Sequence, residues 1–452
     1  MTTKPYIVFV SAVAAVGALL FGYDTAVISG TVDALRVHFA LDPLRLGWVV
    51  GSALIGSVAG VVLAGPITDW AGRRTVLAFS AFLFLISGIW CFLSRSETEL
   101  VFARILGGVG IGFASLLVPV YIAEIAPPKS RGAMVLLNQI GILVGMLLSY
   151  MVNAWIGTWG DDRWLADIGW RIMLGVSAVP AALFFVLSFV IPESPRWLLK
   201  KGRAEAARRV LQRLHGASVV EAEQQEIQAS LSQHQAKLAD LFQKGVRGTV
   251  IMAVILAFFQ AITGINIVMY YAPTIFTTAG VSTSKALSHS VIIGLVMLIF
   301  TMGAMYLVDR LGRRPIMLIG SAGMGIALIL LGFFFTRVGG SGWGLLVCIL
   351  AYVSFFSVGM GGVYFVVVSE IFPTRIRGTA ASISVLVLWC GNYLVSLFFP
   401  AMLAALGNVT FYVFAFMCLL CFGFVFVFLP ETKGKTLEEL EKSFFAEARI
   451  MH

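Results

Sequence analysis

The chain has 452 residues, 59% of them hydrophobic and only 12% charged, with a formal net charge of +9. Soluble domains carry roughly 25% charged residues, so a water-soluble core does not account for this composition. The positive balance has neither aromatic platforms nor a binding motif beside it, which points to a membrane surface and to no nucleic-acid partner.

Apolar stretches of about 20 residues, enough to cross roughly 30 Å of hydrocarbon as a helix, follow one another along the sequence. In the first half they cover residues 6–29, 46–67, 75–94, 100–123, 133–157 and 170–191; in the second, 250–277, 287–308, 316–335, 343–368, 380–403 and 410–429. Backbone groups in lipid must be satisfied internally, and these segments are too long and too uniformly apolar for barrel strands. The fold class is therefore an all-α membrane protein with twelve transmembrane helices in two pseudo-symmetric six-helix bundles. The expected divisions are an N-terminal bundle over 1–192, a cytoplasmic helical linker over 193–248, a C-terminal bundle over 249–430 and a cytoplasmic tail over 431–452.

The first apolar run has a signal-peptide look, with small residues near Ala12 to Ala15. It is read as an uncleaved span, because cleavage would remove or strand Asp24. In the linker, basic residues from Arg196 to Arg213 precede a Glu/Gln-rich stretch. Ala206, Val210, Leu211 and Leu214 recur at helical spacing there, with Leu231, Leu238 and Leu241 continuing a second helix. The five cysteines fall in apolar spans, and the Cys418/Cys421 pair, despite its redox-like spacing, reads as core packing.

The two halves repeat their punctuation. Asp69-Trp-Ala-Gly-Arg-Arg74 returns as Asp309-Arg-Leu-Gly-Arg-Arg314, Glu124 with Arg131 returns as Glu370 with Arg377, and Pro192-Glu193 returns as Pro430-Glu431. Charged signatures repeated in order between apolar spans indicate a duplicated helical unit, the layout of a transporter. Lys and Arg in short loops stay on the cytoplasmic side. Arg73, Arg74, Lys129, Arg131, Arg310, Arg313, Arg314, Arg375 and Arg377 then put both termini in the cytoplasm, in a multi-pass inner-membrane protein. Asp69, Arg73, Arg74, Glu124, Arg131 and Glu193, with Asp309, Arg313, Arg314, Glu370, Arg377 and Glu431, are expected to interlock as ion pairs at helix ends; the alternative is that the arginines control topology alone.

Asp24 and Arg104 are charges inside apolar segments, where an unpaired ion costs at least ~2.5 kcal/mol on insertion scales. Each is the other's best partner. Burial favours the neutral carboxyl and a nearby guanidinium favours the carboxylate, so such an Asp can bind and release a proton. A fixed structural ion pair between spans one and four is the other reading.

Phe-Gly-Tyr-Asp24, Arg104-Ile-Leu-Gly-Gly, Tyr121-Ile-Ala-Glu124, Pro192-Glu-Ser-Pro-Arg-Trp197, Gly264-Ile-Asn266…Tyr270-Tyr271-Ala-Pro273 and Pro430-Glu-Thr-Lys-Gly-Lys435 resemble the sugar porters of the major facilitator superfamily over nearly the whole chain. The resemblance implies that Asp24 is the protonation site and Arg104 its partner, and that a sugar or polyol is the cargo. It also implies a substrate site at Gln139, Gln260, Asn266 and Asn392, beside Trp389, with Tyr270 and Phe365 as further members. An amide offers donor and acceptor together, which suits hydroxyls; the same amides can also glue helices together. This sequence departs from the family pattern at Ala261, Met297, Leu388 and Gly361-Gly-Val-Tyr-Phe365, so several hydroxyl partners are missing, and such a site loses affinity or takes a less hydroxylated ligand.

The expected activity is proton-coupled import by alternating access, against a proton-independent facilitator or a transporter-like sensor. A monomer is expected, with the lipid bilayer, a proton and the cargo as its partners. Scattered histidines, including His38, His215 and His289, and the lack of a nucleophile triad or cofactor loop predict no cofactor, no metal and no enzyme activity. The string Gly107-Gly108-Val-Gly110-Ile-Gly112 has no strand before it and reads as close helix packing rather than a nucleotide loop.

Overall fold

The computed structural model describes residues 4–127, 130–231, 247–336, 342–372 and 377–434. Twelve helical stretches in it are long and apolar enough to cross a membrane. Spans one to six are Pro5–Gly30, Pro43–Ala71, Arg73–Leu93, Glu97–Ile125, Arg131–Ile156 and Asp162–Ser188. Spans seven to twelve are Arg247–Thr278, Thr283–Val308, Arg313–Phe335, Trp343–Val368, Ala380–Leu406 and Val409–Phe428. The protein is thus an all-helical membrane protein with the expected number of spans. Span six begins earlier than expected because Asp161 caps it, its Oδ1 accepting from the Trp164 N–H at 2.9 Å, before a π-helical turn over Leu165–Gly169.

Contacts divide the chain into two units, Met1–Leu41 with Val49–His234 and Asp42–Trp48 with Gln235–His452. Within the first, glycines let helices touch backbone to backbone: a Cβ on Gly22 would sit 1.9 Å from the Ile142 carbonyl oxygen, and one on Gly108 would sit 2.0 Å from that of Ala53. The glycine string of span four is therefore a packing surface. Within the second unit, Gly320 and Gly359 bring spans nine and ten equally close, a Cβ on either lying 2.5 Å from the other's Cα.

Span seven is two helices, Arg247–Ile262 and Ile265–Thr278, broken at Gly264 with φ +97°. Span ten is interrupted by a π-helical turn over Ser357–Gly361. Such breaks at membrane depth persist only where neighbouring groups satisfy the freed backbone; here the Tyr352 hydroxyl donates to the Thr263 carbonyl at 3.0 Å.

The linker forms helices Pro195–Lys200, Ala204–His215 and Val220–Leu231. Of the predicted stripe, Leu211 and Leu214 are buried and Ala206 and Val210 half-buried, with Ala207 buried beside them, whereas Leu238 and Leu241 lie outside the described residues. Its docking is to the first unit. Trp197 Nε1 donates to the Asp69 carbonyl at 3.1 Å, and the His215 ring lies 2.9 Å from the Ile125 carbonyl and 2.5 Å from Glu223.

Candidate functional site

Span one presents Asp24 and span four presents Arg104, 8% and 3% exposed. Asp24 Oδ1 comes within 3.8 Å of where a Cβ on Gly107 would stand, and the Ser87 hydroxyl of span three within 2.5 Å of the same point. Ser87 donates to the Ala103 carbonyl at 2.8 Å, and Ser80, two turns away on the same face, donates to Gly110 at 2.9 Å. Arg104 is the charge that acts on Asp24, and both act on Cys91. The contact is through space: among the described residues no direct ion pair joins Asp24 to Arg104, and Arg104 Nε is buried without a hydrogen-bond partner. The fixed ion pair of the alternative reading is thus not formed among the described residues. Ser87 and Gly107 pack beside Asp24. Tyr23, whose buried hydroxyl also lacks a partner, and Ser87 and Cys91 were not singled out from the sequence. The seven-residue spacing of Ser80 and Ser87 on one helix face was the available signal for Ser87.

Gln139 is half-buried on span five of the first unit. The other amides belong to the second unit, where the break in span seven decides their placement. Gln260 lies in the last turn before it and Asn266 in the first turn after it, both 6% exposed. Span eleven brings Asn392 and Trp389, each 9% exposed. A Cβ on Gly391 would lie 2.7 Å from that of Ala261, so spans seven and eleven touch between Gln260 and Asn392. Gln260 Oε1 and Asn392 Oδ1 are buried without hydrogen-bond partners. Tyr270 is buried, and the adjacent Tyr271 hydroxyl donates to the Ser396 carbonyl at 2.8 Å, tying the same two spans. Phe365 is half-exposed on span ten, edge-on to a buried Tyr364 at 5.0 Å. Of the departures, Ala261 is wholly buried, whereas Met297 and Leu388 keep 7% and 8% exposure.

At the other end of each unit a charge network closes on itself. Arg73 Nε and Nη2 donate to Glu124 at 3.0 Å each. Glu193 accepts from the backbone N–H of Arg73 at 2.8 Å and of Arg74 at 3.2 Å, capping span three just after Gly72, whose φ of +94° admits the approach. Asp69 pairs with Lys200 at 2.9 Å and approaches Arg73 at 3.7 Å. The second unit repeats this arrangement. Arg313 Nη2 donates to Glu370 at 2.7 Å, and Glu431 accepts from the N–H of Arg313 at 2.9 Å and of Arg314 at 3.1 Å. A carboxylate at a helix N-terminus meets both unpaired N–H groups and the positive end of the dipole. Arg131 is exposed and makes no ion pair among the described residues, contrary to expectation, while the side chains of Asp309 and Arg377 lie outside them, as do Lys129 and Arg375.

Burial pushes the Glu193 carboxyl above its ordinary value, despite N–H donation from Ser194, Arg74 and Arg73. The more open Glu431 lies below it, because donation from Lys433, Arg313, Arg314 and Thr432 outweighs burial.

The family described as "Sugar (and other) transporter" matches residues 10–444. The chain belongs to that family. It is 42% identical to the D-xylose-proton symporter of Escherichia coli (strain K12), over 96% of this chain and 95% of the relative. It is 40% identical to the arabinose-proton symporter of Bacillus subtilis (strain 168), over 97% and 95%. Among solved structures, the inward open conformation of the xylose transporter XylE from E. coli superposes with a TM-score of 0.87 at 39% identity, covering 97% of this chain and all of that one. The major facilitator superfamily proton:xylose symporter XylE bound to 6-bromo-6-deoxy-D-glucose gives 0.79 at 40%, covering 98% and 100%. The protein is a membrane transporter of the sugar porter type and not an enzyme.

Proposed function

We propose that the protein is a proton-coupled symporter that imports a sugar or polyol by alternating access, as a monomer in the inner membrane with both termini cytoplasmic. The observation that carries the coupling is a buried carboxylate held within electrostatic reach of a buried guanidinium, yet not locked to it. A carboxylate so placed takes a proton from outside when Arg104 recedes and surrenders it when Arg104 approaches. Cargo hydroxyls are taken by Gln139, Gln260, Asn266 and Asn392, with Trp389, Phe365 and Tyr270 offering ring faces. The arginine-rich helix ends set the orientation by the positive-inside rule, and the networks around Arg73 and Arg313 stiffen each unit as a body. The named proton symporters among its relatives support this reading.

The test is uptake into proteoliposomes with and without an imposed proton gradient. Asp24→Asn is expected to retain sugar exchange at equilibrium and to lose gradient-driven accumulation. Unchanged accumulation in that variant overturns the role of Asp24, and wild-type uptake indifferent to an uncoupler makes the protein a facilitator.

A further inference from the structure

Residues 195–213 carry seven Lys and Arg against a single acid, Glu205. Lys200 pairs with Asp69 at 2.9 Å and Arg208 with Glu221 at 3.4 Å, and Arg213 stacks closely over the Tyr6 ring at 4.4 Å. The other four, Arg196, Lys201, Arg203 and Arg209, are exposed and make no ion pair among the described residues. Lys201 and Arg203 each lie 5.8 Å from the Trp197 ring, which orients them without neutralising them. The segment as a whole is thus strongly one-signed.

The depth of the segment is fixed by its anchor. Trp197 donates its indole N–H to the Asp69 carbonyl, and the residue after Asp69 is Trp70, 78% exposed at the end of span two. An exposed Trp at a span end marks the headgroup level. Phe189 and Val190, each 55% exposed, end the apolar surface of span six only a few residues before Pro195. The four uncompensated cations therefore sit close to the headgroup plane. There Lys and Arg are drawn toward an anionic leaflet, an attraction that fades over ~10 Å.

We infer that the segment from Arg196 to Arg209 is a docking surface for the anionic phospholipid headgroups of the cytoplasmic leaflet, pinning the linker of the first unit to the membrane. The inference depends on the membrane placement of the chain and not on what it carries.

The test places the full-length protein in nanodiscs of phosphatidylcholine alone, or of phosphatidylcholine with about one quarter phosphatidylglycerol. Thermal midpoint and phosphatidylglycerol retained after mild extraction are the readouts. The wild type is expected to gain midpoint and retain phosphatidylglycerol in the mixed discs, and to lose both effects as salt shortens the Debye length. The fourfold variant R196Q/K201Q/R203Q/R209Q is expected to match the wild type in phosphatidylcholine, which reports an intact fold, and to retain at most about half as much phosphatidylglycerol. A fourfold Lys/Arg exchange that keeps the charge is expected to behave as wild type, so a variant that fails to fold is told apart from one that fails to bind. Equal retention by wild type and the Gln variant overturns the inference. So does an equal midpoint gain from inorganic phosphate added to phosphatidylcholine discs, which indicates a free-anion site instead.

Discussion

Gln260 and Asn392 each hold a carbonyl oxygen out of water with nothing to accept, and an unmet buried acceptor costs about 1–3 kcal/mol. A hydroxylated ligand that donates to them recovers that cost; the helix-glue reading offers no such recovery, since glue is satisfied in the empty protein. Gln260→Ala and Asn392→Ala are therefore expected to raise the KM of uptake by about tenfold or more, with the thermal midpoint of the unliganded protein unchanged or higher. If either amide instead supports packing, the midpoint falls and KM stays put. Ligand-induced quenching of Trp389, beside Asn392 on span eleven, gives a binding readout independent of transport. At this scale the sequence was informative about residue type but not about relation. Asp24 and Arg104 stand out as charges in apolar runs, whereas the neighbours Ser87 and Gly107 are brought beside Asp24 only by the packing of spans one, three and four.

Whole elements were largely legible, because about 20 apolar residues in lipid have one outcome. Their interruptions were not. Thr263 and Gly264 are less apolar than the flanking Ile262 and Ile265, but hydropathy does not say that the helix breaks there; the break needs a residue able to take φ +97° and a Tyr352 hydroxyl from another span to satisfy the freed carbonyl. Glycine alone takes that φ without strain, and a side chain there costs roughly 1–2 kcal/mol, with Phe414 already 3.1 Å from the place of a Cβ. Gly264→Ala is expected to favour a straighter span seven and so to turn Gln260 and Asn266 out of register. The outcome looked for is a loss of uptake larger than the loss of thermal stability, while span five of the first unit keeps its hydrogen-exchange protection. Full uptake by this variant shows that the break is not needed for cargo handling. Linker docking was equally hidden: the amphipathic spacing foretold the helix Ala204–His215, but not that His215 reaches Ile125 at the end of span four.

Over the whole molecule, duplication is visible in sequence as repeated motifs and in structure as the same cap built twice, with Glu193 on span three and Glu431 on span nine. The copies differ in burial, and that difference sets opposite responses to acid. Glu431 has a carboxyl lowered below 4.5, so its contribution to folding is present above that pH and is lost as pH falls through the lowered value. Glu193 is raised above 4.5, so its contribution is present below that pH and is lost as pH rises through the raised value. Taking the protein from neutral pH down past 4.5 is therefore expected to loosen the start of span nine while the start of span three holds or tightens. Hydrogen exchange at the amides of Arg73 and Arg313, corrected for the intrinsic pH dependence of exchange, reads the two caps side by side. Glu431→Gln is expected to abolish the acid response at Arg313 and leave that at Arg73 unchanged, which ties the response to the Glu431 cap. If Arg73 loses protection first, or both lose it together, the inequality between the two caps does not govern how the halves respond to acid.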